Sequence, residues 1–197
     1  VRPHPHIGLS TVTYLYSGAM THRDSLGFHQ EVQPGEVNWM TAGSGITHSE
    51  RLEYARAHGA HMHGIQAWVA LPNEAEECDP SFAHYASAVQ LPEFAEGGVQ
   101  GRLIAGRSDG MQAAVQTHSP LFYWHWNMQA GRRRSLAAEY SERAVYVAQG
   151  EVEIAGQKLG AGQMLVPPNT NTSTNTGAGA VDIHAVQNGI VMLLGGE

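Results

Sequence analysis

The chain has 197 residues, a length that suits one large β domain or two small barrels in tandem, and either arrangement can bury a core. Apolar residues make up 42% and charged residues 15%, which excludes a disordered chain. The formal net charge of −7, with Lys158 the single lysine, argues against direct nucleic-acid binding, which needs a cationic face.

Val1 opens directly on Arg2-Pro3-His4-Pro5-His6-Ile7-Gly8, so native residues are expected before it, as they are after the closing Leu193-Leu194-Gly195-Gly196-Glu197. On a strand, residues i and i+2 point to one face, so His4 and His6 can aim two imidazoles at one ion. Ser10–Ser17 reads as a strand, because β-branched and aromatic residues dominate it. Thr21–Gln30 reads as a turn, which makes His22 and His29 exposed loop histidines. Glu36–Thr41 is the next strand. Forty-two residues after His6 comes Gly45-Ile46-Thr47-His48-Ser49-Glu50, where His48 and Glu50 repeat the i, i+2 relation.

Two such strands facing each other inside a barrel would supply three nitrogens and one carboxylate oxygen. That set suits one divalent transition ion, with Fe(II) favoured and Cu, Ni, Mn, Co or Zn as alternatives. On the residues alone a second reading stands, that these are surface or packed histidines. A competing H-x-H pair also follows, His61 and His63, with His58 nearby. It lies in a Gly/Ala/His-rich connection, where side chains are aimed less rigidly.

Gly64–Leu71 reads as a strand. Residues 73–96 are rich in Ala and Glu and carry Pro80 and Pro92, which predicts loop with one short helix. Cys78 is the one cysteine, so no intrachain disulfide can form, as suits a reducing compartment. Leu121–Met128, Arg143–Gln149, Glu151–Ile154, Gln163–Val166 and Gly189–Leu194 are the later strands. Arg132-Arg133-Arg134 follows Gly131 and reads as a solvated turn. His84, His118, His125 and His184 have no partner at metal-ligand spacing. No apolar run approaches the roughly 20 residues of a membrane span, and no signal-peptide pattern is present, so no membrane association and a cytoplasmic location are expected.

The halves share a pattern. Tyr14-Leu15-Tyr16-Ser17-Gly18 resembles Tyr146-Val147-Ala148-Gln149-Gly150, 132 residues later. Gly35-Glu36-Val37-Asn38-Trp39 resembles Gly162-Gln163-Met164-Leu165-Val166. A repeated strand–turn–strand unit of this kind predicts two related barrels.

The runs His4–Gly8, Thr11–Leu15, His22–Gly27, Trp39–Glu50 and His63–Pro72 together resemble the pirin family, over about the first 70 residues. The remainder matches more loosely. The resemblance implies an all-β bicupin, two tandem double-stranded β-helix (jelly-roll) barrels. Residues 1–72 would form an N-terminal metal-binding barrel, 73–118 a connection with shared strands, and 119–197 a metal-free C-terminal barrel. The family's ligands fall on His4, His6, His48 and Glu50. Cupins in general place a glutamate ligand where this chain has Thr11, and Glu50 would supply the missing carboxylate. In the second half the corresponding region, Leu136–Arg143, has no histidine, and the second ligand position falls near Ser173.

Pirin-like bacterial proteins resemble quercetin 2,3-dioxygenases. That implies an oxidoreductase acting on a small flavonol-type aromatic substrate with O₂, Glu50 being the catalytic base and Trp39, Met40 and Trp68 candidate pocket walls. The other implied function is a non-catalytic, redox-sensitive regulatory protein that binds a protein partner.

Overall fold

A computed structural model of the chain describes residues 1–168 and 179–197. Ser173, the second-half ligand position, lies outside the described residues. The chain divides into two compact units, Val1–Ser87 and Ala88–Glu197. The boundary falls inside the 73–118 segment that the sequence sets apart as connection and shared strands.

The first unit contains β1 (His4–His6), β2 (Leu9–Ser17), β3 (Met20–Asp24), β4 (His29–Val32), β5 (Val37–Thr41), β6 (Ile46–Arg51), α1 (Glu53–His58), β7 (His63–Ala70) and β8 (Ser81–Tyr85). They form two antiparallel four-stranded sheets, ordered β1-β6-β3-β4 and β7-β2-β5-β8. β2 is central in its sheet and almost wholly buried, which is why Leu-Ser-Thr-Val-Thr-Tyr-Leu-Tyr carries so little charge. Two of its buried hydroxyls are paired: Ser10 Oγ lies 3.1 Å from Thr41 Oγ1, and Thr13 Oγ1 accepts from Gln66 Nε2 at 3.0 Å.

The second unit contains β9 (Glu93–Glu96), β10 (Val99–Ser108), β11 (Met111–Gln112), β12 (Leu121–Met128), β13 (Arg133–Leu136), β14 (Glu142–Gln149), β15 (Glu151–Ile154), β16 (Gln157–Gly160), β17 (Met164–Leu165), β18 (Val181–Ala185) and β19 (Gly189–Gly196). A seven-stranded sheet runs β11-β10-β12-β19-β14-β17 with β9 on β10, and a four-stranded sheet runs β13-β18-β15-β16. Its apolar core includes Trp124, Trp126, Val145, Val147, Ile183 and Leu193. Burial of such side chains is the main stabilising term here, at about 1.5–3 kcal/mol each.

The repeat read from the sequence recurs as geometry. β2 pairs with β7 through a register shift between Leu15 and Ser17, and β14 pairs with β19 through one between Val147 and Gln149. The shifts are 132 residues apart, as are Gly18 and Gly150, each at φ +81°. A Cβ on either glycine would overlap the backbone of the segment leading into the partner strand.

Three expectations are corrected. Thr21–Gln30 is not a simple turn but the hairpin of β3 and β4, and His22 is buried on β3. Residues 73–96 hold strands β8 and β9, whereas the short helix lies earlier, at Glu53–His58, ended by Gly59 in the left-handed conformation. The arginine run enters β13, and Arg134 is no solvated turn residue. Its guanidinium lies 3.9 Å from the Phe94 ring centroid and pairs with Asp109 at 2.5 Å and Glu96 at 3.4 Å. No helix among the described residues is long and apolar enough to cross a membrane.

Candidate metal centre

β6 lies between β1 and β3, and the register sets the site. His4 pairs with His48, and Asp24 pairs with His48 from the other side. His22 pairs with Glu50. Side chains at paired positions share a face, as do residues two apart on one strand. His4, His6, His48, Glu50, His22 and Asp24 therefore converge on one face of three adjacent strands. The sequence suggests two strands facing each other; here they are hydrogen-bonded neighbours.

Among the described residues, the group able to hold an ion is His4, His6 and His48, whose ligand atoms lie within 4.8 Å of one another. The ring centroids are 4.4–5.0 Å apart. His4 Nδ1 donates to the Arg2 carbonyl at 2.9 Å, which leaves Nε2 with its lone pair. That Nε2 lies 3.1 Å from His48 Nε2. His6 is 8% exposed, and its Nε2 is buried with no hydrogen-bond partner among the described residues.

Glu50 is 3% exposed and lies toward the opposite nitrogen of His48, with Oε1 3.5 Å from Nδ1. Gln66 Nε2 donates to Oε1 at 2.9 Å, and Oε2 is buried without a partner among the described residues. An unpartnered buried carboxylate oxygen costs several kcal/mol unless a proton or a cation meets it.

Burial pushes the His48 imidazole down to about 4; the Glu50 carboxylate works against this, and His4, His22 and His6 add to it. Burial also holds His6 below the ordinary imidazole value, with His4 lowering it further and Glu50 opposing. Both rings are thus uncharged at neutral pH, the form that ligates a metal. Two nitrogens on one ion, each at about 2.1 Å, can be no more than about 4.2 Å apart, so small rotations would bring the trio to bonding distance. Lone pairs facing each other, an orphaned His6 nitrogen and a buried carboxylate oxygen together fit a divalent cation.

The remaining sequence candidates lie elsewhere in their own settings. His58 stacks on Tyr54 in α1, and His63 packs against Tyr16. His84 Nδ1 pairs with Asn38 Oδ1 at 2.7 Å. Trp39 and Met40 are buried, whereas Trp68 is 65% exposed with its ring 5.3 Å from that of His6. Sequence reasoning missed His22, Asp24 and Gln66. The first two carried a signal, an i, i+2 pair of ligand-type residues, but His29 and Glu31 carry the same one.

A family model described as Pirin matches residues 1–69. The chain is 53% identical, over its whole length, to a pirin-like protein of Caulobacter vibrioides, of which it covers 66%. It is 32% identical over 154 residues to Pirin-1 of Arabidopsis thaliana, covering 78% of this chain and 52% of that one. A crystal structure of quercetin 2,3-dioxygenase from Acinetobacter baumannii superposes with a TM-score of 0.84 at 32% identity, covering 99% of this chain and 61% of that one. The chain spans two thirds or less of the length of the curated relatives it matches.

Proposed function

The chain belongs to the pirin family, and on that premise we propose that it is a metal-dependent dioxygenase of flavonol-type aromatic substrates. His4, His6, His48 and Glu50 hold one divalent transition ion, Fe(II) being the first candidate for its open coordination sites and O₂ chemistry. The observation that carries this reading is the convergence of three imidazoles beside a buried carboxylate whose Oε2 has no partner among the described residues. The name borne by the A. baumannii structure supports the substrate class.

When bound, the ion supplies open positions for substrate and O₂ and acidifies a coordinated hydroxyl. The chain's own residues do the rest. Gln66 fixes the rotation of the Glu50 carboxylate by holding Oε1. Oε2 is then the atom positioned to take the proton of the flavonol 3-hydroxyl. Trp68 offers an exposed indole beside His6, a face against which a flat ring system can stack. Burial keeps His6 and His48 unprotonated, so no proton competes for their lone pairs near neutral pH.

The test is loss of flavonol absorbance when Fe(II)-loaded protein meets quercetin in air, with metal content measured in parallel. Turnover is expected, with His48→Ala abolishing both metal content and turnover. Glu50→Gln is expected to lower kcat about 10²-fold or more, the ordinary contribution of a general base. Metal-loaded wild type that leaves quercetin intact would reject the dioxygenase reading in favour of a regulatory, partner-binding protein.

A further inference from the structure

Beyond the first ring of donors, β3 carries a buried pair that the proposed reaction does not use. His22 is 4% exposed, and its Nε2 donates to Asp24 Oδ2 at 2.8 Å. The Asp24 side chain is fully buried. Its other oxygen, Oδ1, accepts two backbone N–H bonds, from Leu26 at 2.9 Å and Phe28 at 3.1 Å. The carboxylate is thus clamped by the hairpin turn and cannot rotate away from His22. The His22 ring is held from the side as well, stacked on Phe82 with centroids 4.3 Å apart and planes 16° apart. Its remaining nitrogen, Nδ1, lies 3.5 Å from His48 Nδ1.

A carboxylate only accepts, so the proton of a singly protonated His22 must sit on Nε2, leaving Nδ1 with a lone pair. That lone pair faces His48 Nδ1 as an acceptor, so once an ion takes the 3.1 Å contact between His48 Nε2 and the bare His4 Nε2, Nδ1 is the nitrogen of His48 that carries its proton. We propose that Asp24 and His22 are positioning residues which place the His48 proton on Nδ1 and so leave His48 Nε2 bare toward His4 and His6. The chain of custody runs Asp24, His22, His48, and ends at the nitrogen facing the His4 ring. Metal-ligating imidazoles generally need such a partner on the far nitrogen to fix ring orientation and tautomer. Glu50 Oε1 also lies 3.5 Å from His48 Nδ1 and keeps a second lone pair beside the one Gln66 uses, so it favours the same tautomer. The inference rests on the reading of His48 as a ligand.

Asp24→Asn isolates the effect. Because Oδ1 receives two backbone N–H groups, the new amide must keep its oxygen there and turn its NH₂ toward His22. His22 Nε2 then has to accept, its proton moves to Nδ1, and the arrangement at His48 inverts. The experiment is long-range ¹H–¹⁵N correlation NMR of histidine rings in the Zn(II)-loaded full chain at fixed neutral pH, paired with Ni(II) affinity by competition titration. Wild type is expected to show His48 protonated on Nδ1. Asp24→Asn is expected to lose that pattern, with Ni(II) bound about 10- to 100-fold more weakly.

Wild-type His48 protonated on Nε2 overturns the proposal without need of any variant. So does an Asp24→Asn chain whose His48 stays protonated on Nδ1 and whose Ni(II) affinity stays within twofold. A wild-type chain that takes up no metal ion would instead sink the metal-centre reading, so the two failures are distinguishable.

Discussion

His125 shows how a single, largely buried side chain ties stability to pH. It sits on β12 between β10 and β19, paired in register with Arg102 and Met192. Burial lowers its imidazole to about 4, the Asn127 side chain opposes this, and the Arg102 charge adds to it. The folded value lies below the unfolded value of 6.5, so the unfolded chain binds more protons between the two. The contribution is therefore complete above pH 6.5, falls as pH drops through the window from 6.5 to about 4, and is gone below it. Its ceiling is roughly 3 kcal/mol, from about 1.4 kcal/mol per pKa unit. His48, also lowered to about 4, adds a loss of the same sign in the metal-free chain. The comparison must then be between wild type and His125→Gln. The variant should lose less stability between pH 7 and pH 5, read as a smaller shift of the urea midpoint. Equal shifts in both chains would mean that His125 is protonated in the fold without cost.

Several strands that bury apolar side chains were readable, β10 and β18 were not, and neither was β3 beside the polar site. Leu121–Met128 and Glu151–Ile154 match β12 and β15 residue for residue, because each packs Trp, Phe, Val or Ile into the second unit's core. β3 hid because its buried face carries His22 beside Asp24, so no apolar alternation marks it. β8 hid because it is an edge strand, only half buried, set among prolines and acidic residues. His4, His6, His48 and Glu50 were legible from their spacing, whereas the His22–Asp24 pair could be assigned only once the β3–β6 register was known.

The turn before β6 is the element that aims His48 and Glu50, and at Gly43 it has no room for a side chain. Gly43 has φ +51°, and a Cβ there would overlap the Cys78 carbonyl oxygen. Gly8 has φ +65° but open space around it, and its N–H donates to the Gly43 carbonyl at 2.9 Å. Gly8→Ala should cost about 1 kcal/mol from backbone strain alone. Gly43→Ala should cost roughly 2–4 kcal/mol, because overpacking against backbone is added to strain. Urea midpoints decide this. Equal losses at the two glycines would show that the turn yields to a Cβ without displacing the Cys78 segment.

At the scale of the whole molecule, two units carry one strand–bulge–glycine plan but different polar content. The Leu15–Gly18 and Val147–Gly150 segments bend alike, and the 132-residue spacing between their register shifts was visible as a sequence repeat. The donor cluster among the described residues belongs to Val1–Ser87. An ion that binds the folded chain alone stabilises it by RT ln(1 + [L]/Kd), about 2.7 kcal/mol at one hundred times Kd. That energy enters through β1 and β6, so protection against amide hydrogen exchange should rise first in His4–His6 and Ile46–Arg51 and in β3 beside them. His48→Ala should lose the gain, since it removes the ring shared by both sides of the cluster. If nickel instead protects the strands of Ala88–Glu197, or protects the His48→Ala chain as well as wild type, the ion is held by other donors and the three imidazoles are merely packed together.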